Sequence, residues 1–346
     1  MSSGSILIVI PYPQKSGIFS VYMKGYLDQY RKLGYEITTE KLYFWESKIR
    51  YSLKWFYLMR YLADRKKTIL LHQHTIPASG PFIIPFLLLS RVLRRKVIVV
   101  SHETVQTYAK HLPPFARWIA YFYEYMVVHL SSFYVVHTSF HKQEIESFAP
   151  TPKLRVIPHP AVKVEIKERE RVNWGFYGML SAKKGVDLLI DAYQDFTPGS
   201  LPHLKIYGAA APGEEKYYES CRKMVKSEFA SYIYFNGMIL EEDKAEEFSR
   251  LSLMILPYRY ISQSGVLSEA CMHRVPFLAS DLPFFRDFKD KFGCGKLFKA
   301  DDRDSLKEEL MNILKNPLRI SDEEFVALQN ELSIEHCAGE FQKLIS

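Results

Sequence analysis

The chain has 346 residues, 47% hydrophobic and 25% charged, with 46 Lys+Arg against 39 Asp+Glu. That length exceeds one ordinary core and predicts two domains, while the composition excludes a disordered, fibrous or low-complexity chain. The net charge of +7 is uneven: residues 1–170 hold 24 Lys+Arg and 12 Asp+Glu, a balance of +12, and residues 171–346 hold 22 and 27, a balance of −5. A basic first half is either a solvated surface or a face for anionic lipid, a pyrophosphate carrier or nucleic acid. Cys221, Cys271, Cys294 and Cys337 are dispersed without a C-x-x-C pair, which argues against a disulfide scaffold or zinc ribbon and fits a reducing, cytoplasmic setting. Ile6 to Ile10 is too short for a signal peptide, and the longest apolar run, Pro81 to Ser90, is half of a spanning helix and holds two prolines.

In chain order, Ser5 to Ile10 is an apolar strand, Ile18 to Leu33 a helix capped by Gly34, and Tyr35 to Glu40 a second strand. This is the β-α-β opening of a doubly wound sheet. Leu42 to Lys67 mixes aromatics with cations at helical spacing, which suits an interfacial surface or a helix packing its aromatics on the core. Pro81 to Lys96 is an apolar helix ending in Arg91, Arg94, Arg95 and Lys96. Those cations meet lipid phosphate or simply favour a helix C-terminus. Thr68 to His72 and Lys96 to Ser101 are continuous apolar strands, as in a parallel sheet covered on both faces. Each ends in histidine, His72-Gln73-His74 and His102-Glu103, where such sheets present residues to the ligand crevice. Ser132 to Val136 and Leu154 to Ile157 are further strands around a capped helix, and a charged segment without apolar period follows Pro160.

The second half repeats the alternation. Trp174 to Tyr177 is a strand, followed by a loop with Gly178, Lys183 and Lys184 and a helix with Val186, Leu189, Ile190 and Tyr193 on one stripe. Leu204 to Tyr207 with Gly208, a helix Glu214 to Phe229, Ile233 to Phe235, a helix Glu242 to Leu251 and a strand Leu253 to Leu256 come next. Ser262 to Asp281 reads as a Ser/Gly loop, a short helix carrying Glu269, and a strand Val275 to Ala279. Ser305 to Leu314 and Ser321 to Ile345 are helical. A glycine-containing loop at a helix N-terminus offers free N–H groups to phosphate, and a glutamate one turn in reaches a ribose hydroxyl. Two such units bring Lys184 and the 262–265 loop to one diphosphate.

The two segments NWGFYGMLSAKKGVDLLIDAY and SQSGVLSEACMHRVPFLASD resemble the donor half of the retaining, glycogen-synthase-like glycosyltransferase family four. That family reads G-R-L-x-x-x-K-G-x-D-x-L and E-x-F-G-x-x-x-x-E-A-x-A-x-G-x-P-V-x-A-S at these places. The resemblance is strong from Asn173 to Asp304 and weaker before. It implies an α/β, GT-B fold of two Rossmann-like doubly wound domains facing a central cleft. Residues 1–160 form the acceptor-side domain, 161–172 a linker, 173–328 the donor domain, and 329–346 a C-terminal helix returning to the first domain.

The resemblance also implies an activity: retaining transfer of a hexose from a nucleotide-diphosphate sugar to a glycan or lipid-linked saccharide. It implies no cofactor, metal or nucleic acid, and it fits a peripheral position on an anionic cytoplasmic membrane face. Lys184 takes the diphosphate, and His102, with Glu103 where the family has Asp, bonds the transferred sugar. Gly17, after Ser16, is what remains of a Gly-Gly pair facing the phosphates. Gly178, Gly208, Met238 and Ile239 border the donor and its base, Ser262, Gln263 and Ser264 offer neutral hydrogen bonds, the amides of Gly265 and Val266 bind phosphate, and Glu269 holds the ribose. Two departures stand out: Met179 replaces the arginine that partners the lysine, and Ile261 or Ser262 stands where the first glutamate belongs. With no obvious carboxylate for double displacement, front-face departure is the mechanism implied.

Two other functions remain open, a non-catalytic nucleotide-sugar binder of the same fold and a metal-dependent hydrolase built on His72, His74 and His102. A dehydrogenase is disfavoured because no G-x-G-x-x-G follows the first strand. Asp301-Asp302-Arg303-Asp304 resembles a metal motif, but it precedes a helix and is explained more simply by N-capping.

Overall fold

The computed structural model describes every residue except 1–3, 11–17, 42–47, 74–81, 106–108, 110–111, 162, 168 and 262–263. Gly17, His74, Ser262 and Gln263 therefore lie outside the described residues. The chain divides into two units, Met1–Pro160 with Leu332–Ser346, and Ala161–Glu331.

The first unit runs β1 (Ser5–Ile10), α1 (Ile18–Lys32), β2 (Glu36–Lys41), α2 (Lys48–Met59), β3 (Lys67–Gln73), α3 (Ile83–Val92), β4 (Val97–Ser101), α4 (Pro114–Leu130), β5 (Phe133–Val136), α5 (Ser139–Glu146) and β6 (Leu154–Val156). Its strands pair in parallel in the order β2-β1-β3-β4-β5-β6. Side chains alternate across a strand, so each apolar run feeds two cores. Leu7, Ile69, Leu71, Val97 and Val99 pack with Trp55, Phe86, Leu87, Val127 and Val128 from α2, α3 and α4. Ile6, Ile8, Leu70, Ile98 and Val100 pack with Met23, Tyr26 and Tyr30 of α1 on the other face. In the aromatic stretch around α2, Trp55 is fully buried whereas Phe56 is 59% exposed, so the segment serves core and surface together.

The second unit runs β7 (Asn173–Tyr177), α6 (Val186–Tyr193), β8 (His203–Tyr207), α7 (Glu215–Lys223), β9 (Ile233–Gly237), α8 (Lys244–Ser249), β10 (Leu251–Leu256), α9 (Gly265–Met272), β11 (Phe277–Ser280), α10 (Pro283–Phe292), β12 (Gly295–Phe298), α11 (Arg303–Lys315) and α12 (Asp322–Leu332). Its parallel sheet has the order β12-β11-β10-β7-β8-β9. From β7 the chain winds outward one way through β8 and β9, then returns to β10 and winds the other way. The β7/β10 junction is thus the topological switch point, where ligands bind beyond the strand C-termini.

Local chemistry moves several expected boundaries. The helix expected over 214–229 stops at Lys223 because Gln194 inserts its side-chain amide, donating to Met224 O (3.1 Å) and accepting from Lys226 N–H (2.6 Å). The helix expected over 321–345 is two, broken at Ser333, whose hydroxyl caps α13 (Ile334–Ile345) by accepting from His336 N–H (3.1 Å). This last helix buries Cys337, Ala338 and Phe341 in the α1 core of the first unit. Phe341 meets Tyr26 edge-on at 5.7 Å. Helices α4 and α10 and strand β12 have no counterpart in the expectations.

Gly185 sits at one of the two closest backbone approaches in the second unit. Its φ is +65°, and a Cβ there would stand 1.9 Å from the carbonyl oxygen of Pro257. Gly213 also has positive φ (+82°), with nothing within 4 Å of a Cβ. Gly213→Ala therefore carries only the left-handed backbone cost of about 1–2 kcal/mol, and Gly185→Ala carries that and a backbone collision. Urea unfolding should place the Gly185 variant clearly below the Gly213 variant; equal midpoints would refute the close approach.

Candidate functional site

The site in the second unit is assembled from loops that glycines allow to touch. Gly178 and Gly208 have φ of +133° and +141°, and a Cβ on Gly208 would lie 1.9 Å from Gly178 O. The turns after β7 and β8 therefore pack backbone on backbone. Gly178 N–H donates to Tyr207 O (3.0 Å) and Gly208 N–H to Gly237 O (2.7 Å), which draws in the end of β9 and the adjoining Met238 and Ile239. A Cβ on Gly178 would be 3.8 Å from a methyl of Val266, so α9 begins beside this turn.

Beyond Gly178 the chain makes a short 3-10 turn, Ala182–Lys184, before α6. Arg259, just past β10, pins that turn. Its backbone N–H donates to Lys183 O (2.9 Å) and its guanidinium to Ala182 O (2.9 Å). The same guanidinium forks onto both oxygens of Asp187 (2.8 Å each) and reaches Asp301 (2.7 Å). Asp301 is thereby accounted for as an ion-pair partner. Asp302 caps α11 by accepting from Ser305 N–H (3.0 Å), the role expected of this acidic run.

Lys184 is held apart from this network. Its ammonium sits 3.8 Å from the centroid of the Tyr258 ring, a cation–π contact. Burial pushes its pKa down to about 7, and no carboxylate among the described residues opposes it. Lys183 is exposed. Across the switch point, Ser264 caps α9, its hydroxyl accepting from Leu267 N–H (3.3 Å). The first-turn N–H groups of α9, at Gly265 and Val266, point out of the helix end.

Glu269 lies one turn further on. Oε1 is paired with Lys244 Nζ at 2.7 Å, while Oε2 is buried without a partner. Lys244 is itself buried and also holds Glu241 at 2.7 Å. Burial opposes the Lys244 ammonium, but the two carboxylates outweigh it and raise its pKa. For Glu269 burial prevails over Lys244 and the carboxyl pKa is raised. Ser181 Oγ, in the β7 loop, is a second buried oxygen without a partner.

His102 belongs to the first unit, within a row of histidines at successive strand ends: His72 on β3, His102 after β4, His137 after β5 and His159 after β6. His137 Nδ1 lies 2.9 Å from Ile157 O, so it carries the proton and donates. Its Nε2 then accepts from His102 Nδ1 at 3.1 Å, and His102 Nε2 faces His72 Nδ1 at 3.5 Å. Burial pushes the pKa of His72 and His159 down to about 3 and of His137 to about 4, so all three are neutral. Among the described residues no group of three or more His, Cys, Asp or Glu is arranged to hold a metal ion.

The second unit thus collects Gly178, Lys184, Gly208, Ser264, Gly265, Val266 and Glu269 at the C-terminal ends of β7, β8 and β10, with Met238 and Ile239 adjoining. Three residues escaped the sequence reading. Lys244 looked like one charge among many in EEDKAEEF, and Tyr258 and Arg259 follow a strand in no motif. Only the tertiary pairing distinguishes them. Lys244→Met would leave Glu269 buried and unpaired at a cost of about 3–5 kcal/mol. The double change with Glu269→Leu should recover most of it in urea unfolding, and additive losses would show that the pair is not coupled.

Residues 171–316 match the family model described as Glycosyl transferases group 1. No curated protein matches the chain. Among solved structures, sucrose-phosphate synthase from Thermosynechococcus elongatus superposes with a TM-score of 0.77 at 13% identity, over 99% of this chain and 98% of that one. HepE from Anabaena, in complex with UDP and glucose, gives 0.76 at 12% identity over 98% of each chain. The lipopolysaccharide outer core galactosyltransferase WaaB gives 0.72 at 12% identity over 99% of each. Residues 171–316 of the second unit are thus a Glycosyl transferases group 1 domain, and the chain as a whole has the GT-B fold.

Proposed function

We propose that the chain is a retaining hexosyltransferase that takes its sugar from a nucleotide diphosphate and passes it to a glycan or lipid-linked saccharide. The observation that carries this reading is Lys184, a half-buried ammonium lying over the Tyr258 ring at the switch point, with no carboxylate paired to it among the described residues. A diphosphate there relieves the desolvation that lowers the lysine pKa. Lys184 and the N–H groups of Gly265 and Val266 then neutralise the charge that grows on the leaving phosphate. This positive charge comes from the chain itself, so the reading needs no metal ion and no cofactor.

Oε2 of Glu269 accepts from the ribose, with Lys244 holding the other carboxylate oxygen. Gly208, Met238 and Ile239 border the base, and HepE, solved with UDP-glucose, supports a uracil nucleotide as the first candidate. His102 bonds a hydroxyl of the transferred sugar. The leaving phosphate oxygen takes the proton of the acceptor hydroxyl as the sugar–phosphate bond breaks, and attack from the same face preserves the anomeric configuration. The basic balance of residues 1–170 supports an anionic cytoplasmic membrane face as the place where the acceptor is met. Gly17, Ser262 and Gln263 keep their proposed places around the donor.

Thermal shift against UDP-, GDP-, ADP- and dTDP-sugars with chelator present is the direct test, and one nucleotide class should stabilise the chain. No response to any of them would remove the donor site. Stabilisation without transfer to any acceptor would favour the non-catalytic reading that Met179 and Ile261 prompt. Lys184→Ala should lower turnover by about a hundredfold or more, and unchanged kinetics would take Lys184 out of the mechanism.

The charge state of Lys184 gives a further readout. Its pKa of about 7 leaves it mostly neutral at pH 8, and a bound diphosphate raises that pKa. Nucleotide binding at pH 8 should therefore take up close to one proton, measured by calorimetry in buffers of different ionisation enthalpy. The uptake should fade as pH falls below about 7 and vanish in Lys184→Met; uptake persisting in that variant would assign the proton elsewhere.

A further inference from the structure

Helix α4 has two apolar faces, and the fold uses one. Its inner face buries Ala120, Val127 and Val128. Its single carboxylate, Glu124, is fully buried on that side, accepting from Val105 N–H (2.6 Å) and Tyr134 O–H (2.7 Å). The outer face carries Phe115 at 74% exposure, Trp118 at 65%, Phe122 at 51%, and Ile119 and Tyr125 beside them. The spacing of three and four residues places all five on one stripe. Trp118 and Phe122 stack with their ring centroids 5.8 Å apart.

Helix α3 packs beside α4 and continues the surface. Leu88, Leu93 and Val92, the last 77% exposed, stand out from its C-terminal half. Arg91 ties the two helix ends by donating to His129 O (2.8 Å). Arg91 and Arg94 are exposed at the end of α3 beside the apolar stripe, and neither α3 nor α4 exposes a carboxylate. An apolar surface of this kind marks a contact site rather than an ordinary surface.

We propose that the outer face of α4, with the C-terminal end of α3, docks on an anionic lipid bilayer. Phe115, Trp118, Phe122 and Tyr125 enter the headgroup region, and Arg91 and Arg94 meet the lipid phosphates. Two features select lipid over a protein partner. The stripe joins Trp, Tyr and Phe with Ile at helical spacing, the composition of an interfacial helix. Its rim is cationic without exposed carboxylates, and residues 1–170 as a whole carry +12, complementary to an anionic leaflet. The inference rests on the reading that the acceptor is met at a membrane, and it names the surface that makes the contact.

Sedimentation of the full chain with phosphatidylcholine vesicles containing phosphatidylglycerol tests it. Wild type should bind at low salt and less at high salt. The triple variant Phe115→Ser, Trp118→Ser, Phe122→Ser should lose at least about tenfold in partitioning at an unchanged melting temperature, since the replaced side chains face solvent. Brominated acyl chains should quench wild-type fluorescence, and the conservative Trp118→Phe should remove much of that quenching. Absence of wild-type binding would sink the membrane reading together with this surface. Undiminished binding by the triple variant, or quenching unchanged in Trp118→Phe, would overturn the surface alone. A wild-type dimer that the triple variant dissociates would assign the face to a second copy and overturn the lipid assignment.

Discussion

The carbonyl oxygen of Pro257 occupies the space where a side chain at position 185 would begin. That contact brings the loop after β7 against the loop after β10, and the rest of the second unit's site depends on it. With the loops touching, Arg259 reaches the carbonyls of the Lys183–Lys184 turn and grips Asp187. The turn then has one position, and Lys184 comes to lie over the Tyr258 ring. The same device recurs one strand away, where Gly208 meets Gly178 O. Parallel strands bring their ends together only approximately; glycine removes the last few ångströms of side chain between them.

Two lysines in this site show how environment divides one residue type into two roles. Lys244 is buried between Glu241 and Glu269, which outweigh desolvation and keep it charged. It belongs to the folded state, where it orients a carboxylate. Lys184 is desolvated against the face of the Tyr258 ring, and its charge is correspondingly precarious. A dianion would stabilise the charged form of Lys184 strongly and that of Lys244 hardly at all. The difference lies in which lysine the fold has already neutralised.

The parts of the fold legible from sequence are those in which local pattern and tertiary role agree. Strands such as Val97–Ser101 are uniformly apolar because both faces of the sheet are covered. Helix α6 shows its stripe and its glycine start. Helix α4 was illegible for the opposite reason: apolar residues surround nearly its whole circumference, which erases the 3.6-residue period that marks an amphipathic helix. The break at Ser333 hid inside a continuous helical pattern because a capping serine also fits a helix surface. Lys184 and Glu269 were visible as parts of loop–helix units. Their supporting residues, Arg259 and Lys244, were not, because an ion pair between chain segments leaves no periodic trace.

The histidine row carries the same lesson into the first unit. Four strands end side by side, and each supplies an imidazole; those of His72, His102 and His137 are buried and that of His159 is half-buried. A buried neutral imidazole must choose which nitrogen keeps the proton, and here a backbone carbonyl makes the choice. Ile157 O requires the proton on Nδ1 of His137, which turns Nε2 into the acceptor for His102 Nδ1. His102 Nε2 in turn faces His72 Nδ1 at 3.5 Å, so the order set at β6 is passed on to β3. Placing the fixed point at a main-chain atom makes the polarity of the row a property of the sheet, since Ile157 O can shift only if the end of β6 shifts with it.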